Sequence, residues 1–337
     1  MEGVGRTVVV GDIHGCFDEL IELLDAAALR PDDLLVAAGD VVDRGPAPGE
    51  VVRFLRKRPN TVVVMGNHER KHVRGIFSYA QEITRLQLGD RYAESVDWMR
   101  TLPYYFENDA VRVVHAAMLS GVPPAEQKEE VLCGSTSGEK ELAALFPDDH
   151  WHDHYTDAKP IVFGHHIVGD QPMIRDRRIF GLDTGACHGG RLTALSVPDF
   201  TIHSVAAHAD HWSAAKREWQ LPVLKTRPWL DLTWAELAEA TGRRTGDPAV
   251  AAWLTSVDAW AAHLRAMIPS LVAEAERLAG ELSPERMRSH PAAQYLFQAR
   301  TRRLDETALA RQCPTPKRTI HVAGALGVAA PGWPGAE

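Results

Sequence analysis

The first half of the chain alternates short apolar runs with amphipathic ones, at residues 7–10, 18–29, 34–38, 50–56 and 61–65. Continuous Val and Leu runs of four or five residues read as strands, and the longer amphipathic stretches read as helices, so the order is strand, helix, strand, helix, strand. Each of the three strands runs into Gly and a polar residue: Gly11 with Asp12, Gly39 with Asp40, Gly66 with Asn67. Strand ends of one sheet lie side by side, so polar groups distant in sequence converge there.

Further strands are predicted at residues 111–114, 160–163, 178–182, 191–197 and 201–205, with helical or loop material over 76–100. Those after Pro160 are closely spaced and broken by Gly or Pro turns, which favours antiparallel pairing. The expected fold is α/β (α+β): two mixed β-sheets in a sandwich, flanked by helices. Residues 120–159 form a long, partly irregular segment, and loops of that length are often functional.

After Ala207 the strand pattern stops, and Ala, Leu, Glu and Trp dominate. Thr233 with Glu236 has the spacing of a capping box, and Asp247-Pro248 and Ser283-Pro284 are helix starts. The chain therefore divides into a domain over 1–208 and a helical C-terminal appendage over 209–337.

Composition supports a globular protein, with 45% hydrophobic and 24% charged residues among 337. No stretch approaches the roughly 20 apolar residues that cross a bilayer. The four cysteines (Cys16, Cys133, Cys187, Cys313) lack CxxC spacing, which excludes a zinc knuckle and fits a reducing, cytoplasmic setting. The net charge of −8 is uneven: residues 1–208 carry 21 Lys and Arg against 31 Asp and Glu, whereas 209–337 carry 16 against 14. An acidic first part suits cation binding.

Asp12 and His14 project to the same side of an extended strand end and can grip one cation. Asp40 can bridge two cations with its two oxygens. Asn67 offers a neutral oxygen at the third strand end, while His115 and His165 each follow an apolar strand. Mixed oxygen and imidazole ligands without thiolate point to manganese, iron or zinc. Any one of these residues alone is usually a turn, cap or surface residue. Gly-Asp-Ile-His-Gly, Gly-Asp-Val-Val-Asp-Arg-Gly and Gly-Asn-His-Glu at three successive strand ends are hard to produce by chance.

These motifs resemble the phosphoprotein phosphatase family of calcineurin-like metallophosphoesterases. Residues 11–16, 39–46 and 66–69 match its first three signatures, and 114–116 and 163–165 resemble its two later histidine signatures. The run from Leu182 to Leu195 is similar to the closing segment of bacterial members, including symmetrical dinucleoside tetraphosphatases. The match covers about residues 6–205. By resemblance, Asp12, His14 and Asp40 hold one metal and Asp40, Asn67, His115 and His165 the other, with manganese foremost and iron or zinc as alternatives. The implied reaction is attack of a metal-bridging hydroxide on a phosphate ester. His68 then protonates the leaving oxygen, Asp43 orients His68, and Arg44 binds phosphate oxygens.

The sequence departs from the family in having no arginine from Ala116 to Ile174, where many members carry a second phosphate-binding one. Lys128, Lys140, Lys159, Arg70, Arg191 or the cluster His150, His152, His154 are the candidates to replace it. That histidine cluster reads as part of the cleft rim and not as another metal site.

The expected function is hydrolysis of phosphomonoesters, extending to phosphoserine and phosphothreonine in proteins. The rivals are hydrolysis of dinucleoside tetraphosphates and removal of polynucleotide end phosphates. The last would use Arg286, Arg288, Arg300, Arg302 and Arg303 around Tyr295 and Phe297. Packing is the favoured role for that helix, because Glu285, Asp305 and Glu306 interrupt the basic run, so nucleic acid is not the favoured partner.

Overall fold

The computed structural model describes residues 5–243 and 245–335. The chain forms two compact units, Met1–Trp219 and Gln220–Glu337. The break lies later than the expected boundary after residue 208, because the helix His211–Glu218 belongs with the first unit.

The first unit is built on two five-stranded mixed sheets. One has the order β10-β9-β1-β2-β3, with β1 (Thr7–Val10), β2 (Leu34–Ala37), β3 (Thr61–Val63), β9 (Arg191–Val197) and β10 (Thr201–Ala206). The first three run parallel, β9 is antiparallel to β1, and β10 is antiparallel to β9. The other has the order β4-β5-β6-β8-β7, with β4 (Tyr105–Glu107), β5 (Arg112–Val114), β6 (Ile161–Phe163), β7 (Met173–Arg175) and β8 (Ile179–Gly181). Here β5, β6 and β8 are parallel, and the edge strands β4 and β7 are antiparallel to their neighbours. The strands β4 and β7 were not expected: each is three residues long, too short to show a period of two.

Successive residues of a strand face opposite ways, and the uniform valine runs follow from burial on both faces. Val9, Val36 and Leu195 of the first sheet meet Val113, Val162 and Phe180 of the second in the sandwich core. Their neighbours Val8, Val10, Leu35 and Ala37 turn outward. There they pack under helices α1 (Phe17–Ala26) and α2 (Pro48–Lys57), which supply Leu20, Leu23, Val51 and Leu55. The outer face of the second sheet, with Val114, Ile161 and Phe163, is covered by Leu132, Leu142 and Trp151 from the 120–159 segment.

That segment is more ordered than expected. It contains the helix turn Glu129–Leu132, the ten-residue helix Thr136–Leu145 and a 3-10 turn at Trp151–His154. Between β3 and β4 run α3 (Asn67–Arg74), α4 (Tyr79–Leu88) and α5 (Tyr92–Met99). We number Glu129–Leu132 α6, Thr136–Leu145 α7 and His211–Glu218 α8.

The second unit is helical and has its own core, where Trp229, Trp253, Trp260, Leu264 and Leu271 are buried together. Thr233 and Glu236 form the expected capping box, and Asp247 and Ser283 cap the helices that Pro248 and Pro284 begin. Tyr295 belongs to this core, and its hydroxyl accepts from Arg318. All four cysteines are buried and free. Among the described residues, no helix is long and apolar enough to cross a membrane.

Leu195 is fully buried in the sandwich, whereas Leu145 is 51% exposed. Leu195→Ala should cost about 2 to 5 kcal/mol through lost burial and a residual cavity, and Leu145→Ala about 0.5 kcal/mol or less. Urea denaturation of the two variants beside the parent measures both.

Candidate metal centre

The ends of β1, β2 and β3 and the loops after β5 and β6 open at one edge of the sandwich. Asp40, in the loop after β2, is nearly fully buried. Its Oδ1 accepts from the backbone N–H of His68 (3.0 Å) and lies 3.3 Å from His115 Nε2. Its Oδ2 lies 3.7 Å from His14 Nε2 and 3.8 Å from His68 Nε2. The ligand atoms of Asp40, His14 and His68, and separately those of Asp40, His115 and His165, lie within 4.8 Å of one another. One carboxylate is thus common to two groups.

Each imidazole is aimed by a second contact. His14 and His115 set Nδ1 against the carbonyls of Val42 and Ala38, both at 2.9 Å, and turn Nε2 toward Asp40. A carbonyl accepts only from N–H, so Nε2 carries the free lone pair of the neutral ring. His165 sets Nε2 against Glu139 (3.1 Å) and Nδ1 against Asn67 (3.2 Å). The Asn67 amide head also sits 3.0 Å from His115 Nε2 and 3.1 and 3.3 Å from the two Asp40 oxygens; with its NH2 turned toward them it donates to these acceptors, and with its oxygen there it joins an acceptor-only cluster that a cation would fill.

Asp12 differs. It is buried on the same floor, but both its oxygens take the backbone N–H of His165, at 3.0 and 3.1 Å, and it joins neither group. The close approach explains Gly164: a Cβ there would collide with Asp12 Oδ1. Likewise a Cβ at Gly66 would collide with Asp40 Oδ1.

The charges tell the same story. Burial, and next the Asp183 carboxylate, push the Asp12 pKa well above the usual range. Burial also opposes charge on Asp40, but His115 and His68 hold it well below that range. Burial, then His68, pull His14 down to about 3, which leaves it neutral. Burial alone would also lower His115, yet Asp40, Asp12 and Glu69 lift it to about 10. These oxygen and imidazole donors, gathered without a thiolate, are a set that divalent ions fit.

The backbone is unusual here. His14, Asp40, Asp43, Arg44 and His165 all have left-handed φ, between 47° and 72°. Such conformations cluster at functional sites, where neighbouring structure holds them. Glu69 is a main holder: buried on α3, it accepts from the backbone N–H groups of Asp40 (2.9 Å), Val41 (2.9 Å), Val42 (3.2 Å) and Gly66 (3.1 Å). Burial and then Asp40 raise its pKa to about 6.

His68 opens α3, and its Nδ1 meets Asp43 Oδ2 at 2.6 Å. Asp43 also takes His72 Nε2 at 2.9 Å and the Gln81 amide. Burial disfavours its charge, but the bonds from His68 and His72 hold its pKa well below the carboxylate range. Arg44 lies with Nη1 3.0 Å from His14 Nε2. Glu69, His72, Gln81, Glu139 and Asp183 were not anticipated as site residues. The one usable signal was for His72, four residues after His68 and so on the same helix face.

The basic candidates separate clearly. Lys128 pairs with Glu141, Lys159 with Glu107, and Arg191 donates to Ser204 on the sheet edge. Arg70 pairs with Glu130 and donates to Tyr104, yet it and Lys140 line, with Asn67, Lys71 and Arg74, a cleft of about 420 Å³. The histidine cluster lies on and just before the 3-10 turn Trp151–His154. There His150 and His152 line a separate cleft of about 660 Å³, together with Glu139 and His166.

Three comparisons place this geometry. The description of the calcineurin-like phosphoesterases matches residues 5–171. Bis(5'-nucleosyl)-tetraphosphatase PrpE [asymmetrical] of Bacillus velezensis is 31% identical over 241 residues, which is 62% of this chain and 96% of that protein. The symmetrical bis(5'-nucleosyl)-tetraphosphatase of Yersinia enterocolitica is 26% identical over 63% of this chain and 98% of its own length. A crystal structure of a candidate diadenosine tetraphosphatase superposes with a TM-score of 0.51 at 27% identity, covering 61% of this chain and 95% of that one. The protein is a hydrolase of phosphoric esters. It belongs to the calcineurin-like metallophosphoesterase family, and membership implies divalent metal ions.

Asp43→Asn should destabilise the protein by about 3 kcal/mol near neutral pH, since it leaves two buried imidazoles without their charged partner. A depressed carboxylate pKa contributes stability that is complete above the unfolded value and lost as pH falls toward the folded one. The difference between parent and variant should therefore shrink below about pH 4. Denaturation midpoints from pH 7 to pH 3 check this, and a constant difference would refute the ion-pair account.

Proposed function

We propose that Asp12, His14, Asp40, Asn67, His115 and His165 hold two divalent cations, manganese foremost, and that the protein hydrolyses dinucleoside tetraphosphates with water as nucleophile. We assign the catalytic machinery to residues 1–208 and treat 209–337 as a helical appendage, in a chain that works in the reducing cytoplasm. The observation that carries the substrate is the likeness to both asymmetrical and symmetrical tetraphosphatases, over more than nine tenths of their lengths.

When bound, the two cations supply an acidified water and positive charge for phosphate oxygens. The chain's own residues do the rest. Arg44 presents a planar fork to two oxygens of the phosphoryl group, where charge gathers in the transition state. His68 donates a proton to the leaving oxygen from Nε2, and Asp43, 2.6 Å from Nδ1, fixes the ring. Arg70 and Lys140 take the place of the second phosphate-binding arginine, because their cleft contains the proposed ligand Asn67.

The second reading is hydrolysis of phosphomonoesters, including phosphoserine and phosphothreonine in proteins. The His68–Asp43 pair favours it, since a strong general acid matters most when the leaving group is an alkoxide. The polynucleotide reading has less behind it, because Tyr295, one of two aromatics offered for stacking, is buried in its own core.

The test is to strip the protein with a chelator, restore Mn²⁺, and measure diadenosine tetraphosphate, a phosphoserine peptide and p-nitrophenyl phosphate side by side. Activity should vanish on stripping and return with metal. The tetraphosphate should have a kcat/KM at least about tenfold above the others, a difference of 1.4 kcal/mol in transition-state binding. The reverse order would move the assignment to phosphomonoesters. His68→Ala should retain bound metal and lose about 10²- to 10⁴-fold in kcat on the phosphoserine peptide. Its loss on the anhydride should be smaller, because a phosphate leaving group needs less protonation; equal losses would contradict the acid role.

A further inference from the structure

The cleft beside His165 has no role in the chemistry above. Its volume of about 660 Å³ is that of a small-molecule site. Leu142, Phe146, Trp151, Phe163 and Ile167 line it. Ile167 is 53% exposed, so apolar surface is left open there. The inner end is formed by Ala116 and Ala117, which follow His115, and by Glu139, which holds His165. The cleft therefore borders the segments that carry the proposed ligands His115 and His165.

His152 is the second observation. Its residue is only 7% exposed, it lines the cleft, and its Nδ1, 3.7 Å from Asp153 Oδ1, makes no hydrogen bond. A buried polar atom left without a partner costs about 1 to 3 kcal/mol, which marks a position awaiting one. The ring is stacked on Phe163 at 5.7 Å and 22°, and on His150 at 5.1 Å and 26°, so it presents an edge within a layered aromatic wall. Burial and then Arg175 lower its pKa to about 4, which leaves it neutral near pH 7 and able to donate or accept according to tautomer.

We infer that this cleft seats a nucleobase of the substrate, its flat face against the aromatic and aliphatic wall and its polar edge on His152. The inference rests on the dinucleoside tetraphosphate reading and names what holds one end of that molecule. A base combines an apolar face with a donor and acceptor edge, the two features that the cleft provides. Helix α7 lines both this cleft, through Glu139, Leu142 and Ala143, and the basic one, through Thr136, Ser137 and Lys140. A polyphosphate chain leaving the base seat crosses the proposed metal ligands and meets Arg70 and Lys140 beyond.

Adenosine tests the seat apart from the metals, because it carries no phosphate. The full-length protein, labelled with ¹⁵N in its histidine rings, is titrated with adenosine and, in parallel, with ribose. Adenosine should move the His152 ring resonances and ribose should not. Ala143→Trp, an exposed α7 position that fills the cleft, and Ile167→Asp, which makes its open wall polar, should each weaken adenosine binding at least about tenfold, the scale of a lost pocket contact. No shift at His152, an equal response to ribose, or both variants binding adenosine as the parent does would overturn the base seat. Turnover of diadenosine tetraphosphate is measured separately. Its absence would remove the reading of the reaction, while the adenosine titration still decides what the cleft binds.

Discussion

The Asp40 carboxylate, almost without solvent contact, is the group around which the catalytic edge of the sandwich is organised. Three imidazoles and the Asn67 amide approach it within 3.8 Å. No water shell shields the charge, so every neighbouring group must either balance it or be held against it. This accounts for the divided behaviour of the carboxylates around it, with Asp40 kept ionised while Asp12 and Glu69 are driven toward the neutral form. It also accounts for Glu69, which ties four backbone N–H groups of two different loops to one side chain.

The sandwich serves this centre by geometry. Parallel strands β1, β2 and β3 end at one edge, so three loops separated by about one helix each in sequence become neighbours in space. The second sheet brings His115 and His165 to the same edge from strands β5 and β6. The buried valine faces that join the sheets fix the relative height of these strand ends, and rigid elements hold such constellations better than loops do.

Much of this was legible in the sequence because it was periodic or punctuated. Eight of the ten strands lie in the valine-rich or Gly-bounded runs, whereas Tyr105–Glu107 and Met173–Arg175 pair only through neighbours that the sequence does not name. The residues proposed as ligands stood out because each follows a strand. The groups that position them did not: Glu139 reaches His165 from 26 residues away, and Gln81 reaches Asp43 across 38. Those contacts depend on how α4 and α7 pack, which composition and spacing do not encode. The same holds for the 3-10 turn that sets His152 on the cleft wall.

The left-handed backbone at His14, Asp40, Asp43, Arg44 and His165 has an evolutionary consequence. Each such residue sits about 1 to 2 kcal/mol above its relaxed state, and glycine at any of the five would release that strain while deleting a side chain of the centre. Selection for thermal robustness alone would thus dismantle the site one glycine at a time.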